Sequence, residues 1–135
     1  SRLQGFKEAL NEAGIDLSKK YIKQAYYSQE NSREAALELL NMSKRPTAIF
    51  AASDIQAISI MKVARQLNLR IPEDLAVIGF DDIDMAEYVD LTTIRQHLDD
   101  SGRLSAEMVL ARINDPGRIL QNIHLPLTLI ERQTA

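Results

Sequence analysis

The segment TAIFAASDIQAISIMKVARQLNLRIPEDLAVIGFDD (47–82) decides the fold. Its two ends, TAIFAAS (47–53) and AVIGF (76–80), are continuous apolar runs of strand length. Continuous rather than alternating apolarity belongs to strands buried on both faces, as in a parallel sheet covered by helices. Between them Ala57, Ile60, Met61, Val63, Ala64 and Leu67 recur at helical spacing and form one broad stripe that can lie on such a sheet. The helix is expected from Asp54 to Leu69, closed by the Pro72 region. Strand, helix, strand is the repeating unit of an α/β fold.

The flanks continue the alternation. Ser1 can cap a helix whose apolar residues are Leu3, Phe6, Leu10 and Ala13, with Gly14 as its stop. Residues 21–27 (YIKQAYY) read as a strand rich in β-formers. A second helix is expected from about Asn31–Ser32 through Ala35, Ala36, Leu39 and Leu40, ended by Lys44-Arg45-Pro46. Residues 99–113 predict a further helix, and LPLTLIER (125–132) a last strand. The fold class is therefore α/β, a three-layer α-β-α arrangement on a mainly parallel sheet.

Composition narrows the function. At 135 residues the chain can bury a core of its own, and no apolar run approaches the ~20 residues of a membrane span. With no cysteine, thiolate catalysis, disulfides and Cys-ligated metal are excluded. A net charge of −3 with dispersed Lys and Arg argues against this segment binding DNA by itself. His97 and His124 stand in no metal-ligand pair, no glycine-rich phosphate loop is present, and no nucleophile–base pair is visible. Neither enzyme, metal site nor cofactor is expected. No signal peptide opens the chain, and its start inside a helical pattern suggests a piece of something longer.

Ligands of open parallel sheets bind beyond the carboxyl ends of the strands. Here those ends supply Tyr26-Tyr27-Ser28, Ser53-Asp54 and Asp81-Asp82. Carboxylates and hydroxyls pair with polyol hydroxyls, and an aromatic ring can cover the apolar face of a sugar. The bland alternative is that these residues cap helices and begin turns. The cap reading is favoured for Asp54 and Asp82, the ligand reading for Ser53 and Asp81. On the central helix Ile55 and Ile58 lie off the apolar stripe, Ile58 beside Lys62 and Arg65, which points to a subunit interface. The helix over 99–113 carries Leu104, Met108 and Ala111 on one side and Ala106, Val109, Leu110 and Ile113 on the other, so it wants two partners.

RLQGFKEAL (2–10), RPTAIFAASDIQAI (45–58), LRIPEDLAVIGFDDIDMAEY (69–88) and LTTIRQ (91–96), in that order and spacing, resemble the LacI/GalR transcription regulators. The resemblance covers essentially the whole chain. It implies the C-terminal part of an effector-binding domain with the periplasmic-binding-protein type I fold. Residues 1–94 would form the C-terminal lobe, 95–118 a crossover and helix belonging with the N-terminal lobe, and 119–135 a final strand returning to the C-terminal lobe. The resemblance implies effector contacts from Arg2, Tyr27, Ser53, Asp81 and Gln96, with Ser53 at a position often filled by Asn. It implies a homodimer interface involving Ile55, Ile58, Met85 and Tyr88, although only Val89-Asp90 separates Tyr88 from Leu91 where many members carry a longer, Pro-containing segment. The function implied is that of a cytoplasmic regulator. A small-molecule effector, most simply a sugar, shifts the lobe arrangement and so controls DNA binding by a helix-turn-helix outside this chain. A periplasmic sugar-binding protein is the alternative. A receiver-type signalling domain is more remote, because the acidic pair follows residue 80 rather than the first strand.

Overall fold

The computed structural model describes residues 1–26 and 28–135. Ser1 caps α1 (Arg2–Glu12), its Oγ accepting from the Gln4 amide at 3.3 Å. The helix stops where expected. Gly14 takes φ 72°, and the amides of Gly14 and Ile15 turn back onto the carbonyls of Asn11 and Leu10. That paired closure needs a left-handed residue, which glycine adopts without a Cβ clash.

α2 (Gln29–Leu40) starts two residues earlier than the sequence suggests, because the Ser28 hydroxyl caps it by accepting from the Asn31 amide. β1 (Ala48–Phe50), α3 (Asp54–Gln66) and β2 (Ala76–Ile78) then make the predicted strand–helix–strand unit. α4 (Asp84–Tyr88), β3 (Thr93–Arg95), α5 (Leu98–Asn114) and β4 (Thr128–Ile130) complete the order.

β1 and β2 pair in parallel with Ile49 opposite Val77. Parallel bridges Ile78–Thr92 and Asp81–Arg95 carry the sheet on to β3, which pairs antiparallel with β4. The sheet order is therefore β1-β2-β3-β4, with the first three strands parallel. Buried Thr134 plugs the join: its hydroxyl donates to the Val77 carbonyl and accepts from the Thr92 amide.

The core lies between α2, α3 and the sheet. Ala57, Ile60, Met61, Val63 and Ala64 of the predicted stripe are all buried there, with Leu75, Val77 and Leu91 beneath them. Ile58, expected on the outer arc of the helix, is half-buried and packs against this core, whereas Ile55 is exposed.

Two expectations need correction. Residues 19–21 form a short 3-10 turn and 22–25 join no ladder, so the strand expected over 21–27 is not formed across its described part. A cavity of about 670 Å³ separates this segment from β1, roofed by Leu3 and Phe6 of α1 and by Ala36 and Leu39 of α2. Without a neighbour to bond, β-forming residues do not make a strand, since ladder pairing and packing rather than local preference stabilise one. Conversely β3, read only as part of a family motif, is a strand whose Thr93 is buried, as is Thr92 just before it.

Gly79 is required by close approach rather than by its backbone angle. A Cβ there would lie 2.2 Å from Asp54 Oδ1 and 2.9 Å from Leu91 Cδ2. Asp54 is fully buried and held by hydrogen bonds, so neither neighbour can retreat cheaply. Gly79→Ala is expected to destabilise the intact protein by about 1–3 kcal/mol through overpacking. Urea denaturation checks this; an unchanged midpoint would show that the contact is soft.

Candidate functional site

Beyond the carboxyl ends of β1, β2 and β3, two side chains from distant parts of the chain, Arg2 and Gln96, converge on the Asp81 carboxylate. Asp81 Oδ1 accepts from Arg2 Nη2 at 3.2 Å and from Gln96 Nε2 at 2.6 Å. The Arg2 Nη1 donates to the Ala52 carbonyl at the end of β1. The guanidinium also lies 3.9 Å from the centroid of the Phe80 ring, in cation–π contact. Phe80 meets Phe50 edge-on at 6.4 Å, and Phe50 stacks on Phe6 at 5.3 Å. An aromatic column thus supports the arginine from below, while α1 delivers it from the side.

Burial raises the Asp81 carboxyl above its ordinary value; Arg2 opposes this and the nearby Asp54 charge adds to it. A largely buried carboxylate, a guanidinium and a carboxamide together offer acceptor and donors to adjacent hydroxyls, with Phe80 and Phe50 as apolar support. The sequence reading missed the aromatic column and the Ala52 carbonyl. Strand alternation would have put Phe80 on the face away from Asp81, but both lie beyond β2, and the turn at Asp81 brings the two against the same guanidinium.

The other expected site residues divide. Gln96 joins the cluster as described. Ser53 is buried, and its Oγ caps α3 by accepting from the Gln56 amide at 3.4 Å. Tyr27 lies outside the described residues.

The cap role foreseen for Asp54 belongs to Ser53, and Asp54 does something larger. One oxygen accepts from the Ile83 amide at 2.9 Å and the other from the Thr93 hydroxyl at 2.5 Å. Asp82 does not cap the following helix either: the N-cap of α4 is Ile83, which offers no side-chain cap. Its carboxylate, 6% exposed, instead accepts from Arg95 Nε at 2.6 Å and Arg132 Nη2 at 2.9 Å. Burial would raise the Asp82 carboxyl, but the hydrogen bonds from Arg132 and Arg95 outweigh it and hold it below its ordinary value.

On the outside, Met85 and Tyr88 of α4 are exposed, Tyr88 to 83%, as is Ile55 at the start of α3. The Asp54–Ile83 bond brings the starts of these two helices together. His97 takes φ 52° at the entrance to α5, and its Nε2 lies 2.9 Å from Thr128 Oγ1 of β4.

The family of periplasmic-binding-protein-like domains matches residues 1–135. The ribose operon repressor of Haemophilus influenzae is 38% identical over 136 residues, covering 99% of this chain and 41% of that protein. Among solved structures, the transcriptional regulator CelR in complex with cellobiose superposes with a TM-score of 0.92 at 31% identity, over 99% of this chain and 42% of the other. A LacI family regulator from Enterococcus faecium with bound ribose gives 0.89 at 32% identity, over 98% and 50%. The chain spans about two fifths of the length of the curated relatives it matches.

The adjacent aspartates are expected to titrate apart. Carboxyl carbon NMR should place the Asp81 midpoint above the ordinary aspartate value of about 3.9 and that of Asp82 below it. The sign for stability follows. Asp82, depressed in the fold, contributes stability above the ordinary value and loses it as pH falls through its lower folded midpoint. Midpoints in the reverse order would refute the assignment of partners.

Proposed function

The chain belongs to the periplasmic-binding-protein-like domain family, in the branch formed by the LacI/GalR regulators, and from that premise we propose that it is the effector-binding and dimerisation segment of a cytoplasmic, DNA-binding transcription regulator. The effector is a sugar or another small polyhydroxy metabolite. The observation that carries this is the Asp81 carboxylate held between Arg2 and Gln96 above Phe80. An effector hydroxyl donates to Asp81 and a neighbouring one accepts from Arg2. Tyr27 and Ser53 complete the same cleft under this reading.

Residues 1–94 are the C-terminal lobe, 95–118 a crossover and helix that pack with an N-terminal lobe, and 119–135 the returning strand. The exposed Leu98, Val109, Leu110 and Ile113 of α5 support that division. Effector closes the lobes because it contacts both, so it favours whichever arrangement lets it do so. The DNA response is then a coupling between that arrangement and a helix-turn-helix elsewhere in the parent protein. Ile55, Met85 and Tyr88 form the exposed part of a homodimer interface, with Ile58 supporting it from the core side.

In the intact regulator, Asp81→Ala should leave the fold in place and weaken sugar binding by roughly 10- to 100-fold, the scale of a hydrogen bond to a charged group. A thermal-shift series with D-ribose, cellobiose and other sugars measures it; undiminished sugar stabilisation of the variant would overturn the assignment. Tyr88→Asp should move sedimentation towards monomer without lowering the melting temperature of the core. A dimer that survives this substitution removes α4 from the interface.

A further inference from the structure

The turn that aims Asp81 is one the chain would not adopt by itself. Asp81 has φ 120° and Asp82 φ 54°, two consecutive non-glycine residues in a region that L side chains rarely occupy. Such a turn persists only where the surroundings over-determine it. Three restraints do so here. The Asp81 amide donates to the Ile94 carbonyl at 2.9 Å. The Ile83 amide donates to Asp54 at 2.9 Å. Between them, the buried Asp82 carboxylate is gripped on one oxygen by Arg95 and on the other by Arg132.

Arg132 is the stiffer half of this grip. It is mostly buried, whereas Arg95 is half-exposed. Its Nη1 donates to the Leu91 carbonyl at 2.8 Å, and its own amide to Thr92 Oγ1 at 2.9 Å. The guanidinium is thus fixed to the segment leading into β3 before it reaches Asp82. A planar fork can hold two partners at once in this way, which a point charge does less well.

With Asp82 turned to the two arginines, Asp81, on the other side of the turn, is left facing Arg2 and Gln96. We propose that Asp82 and Arg132 form a positioning clamp that sets the aim of the Asp81 carboxylate, so that effector affinity depends on an ion pair that touches no effector. This rests on the reading of Asp81 as an effector contact.

The test compares Arg132→Gln, Arg132→Lys, Asp82→Asn and Asp81→Ala in the intact regulator, together with the Asp81→Ala/Arg132→Gln double variant. Two readouts are taken: D-ribose affinity by calorimetry, and the side-chain amide resonances of Gln96 in the effector-free protein. The second reports the Gln96–Asp81 hydrogen bond without any sugar. Arg132→Gln should move the Gln96 amide towards its position in Asp81→Ala and weaken D-ribose binding by about 10-fold. Arg132→Lys should recover part of both effects, and the double variant should bind no more weakly than Asp81→Ala alone. Should Arg132→Gln fail to fold, Asp82→Asn and Arg132→Lys carry the same readouts. A lowered melting temperature with the Gln96 amide unmoved would show that the pair merely stabilises the fold, and the proposal would be overturned. Unchanged D-ribose binding in Asp81→Ala would sink the effector assignment instead, leaving the Gln96 resonances to decide on the clamp.

Discussion

The buried carboxylate of Asp54 is the constraint on which the other parts of the structure depend. A carboxylate removed from water is costly unless donors surround it. Here it sits in the first turn of α3, where the helix dipole favours negative charge, and takes hydrogen bonds from the Ile83 amide and the Thr93 hydroxyl. Those two donors belong to the start of α4 and to β3. A single side chain therefore fixes one helix, the entry to a second helix and a strand relative to each other. The same placement forbids a side chain at position 79, because the space beside β2 is already taken by Asp54 and Leu91.

That arrangement explains how two neighbouring aspartates acquire opposite electrostatics. Asp54 holds Ile83 from one side, and the β3 ladder holds the Asp81 amide from the other, so the residues between must pass through left-handed angles. Their side chains then diverge. Asp82 meets two guanidinium groups, which lower its carboxyl despite burial. Asp81 meets one guanidinium and one neutral amide, with the Asp54 charge nearby, and burial prevails. Identity of residue type in sequence carries no identity of role, because the turn assigns each carboxylate a different shell.

The parts legible in the sequence were those set by local pattern. Continuous apolar runs located β1 and β2, and the stripe Ala57 to Ala64 located the face of α3 in the core. Ser1 and Gly14 marked α1 because caps are satisfied by neighbours in the chain. The parts not legible were those decided by partners far away. Thr92 and Thr93 look polar, yet they are buried because Thr134, Arg132 and Asp54 satisfy them across 39 to 42 residues. Asp82 looked like a helix cap because its two arginines lie 13 and 50 residues downstream. Residues 22–25 looked like a strand because β-propensity is visible and the absence of a ladder is not. At the candidate site, Asp81 and Gln96 were recognisable from the family motif, whereas the Phe6–Phe50–Phe80 support required the fold.

Gln96 gives the site a route to the remainder of the molecule. It bonds Asp81 at 2.6 Å, and two residues later the chain enters α5, no residue of which is buried here. His97, between them, is held in a left-handed conformation and lies within hydrogen-bonding distance of Thr128 on the returning strand. Gln96 thus ties the outgoing passage to Asp81, and the contact between His97 and Thr128 ties that passage to the returning strand. A ligand shifts an equilibrium only by its differential contacts with the two states. The Asp81–Gln96 bond joins the strand end to the segment that enters α5, so under the proposed function an effector that exchanged with it would act on that segment without any covalent chemistry.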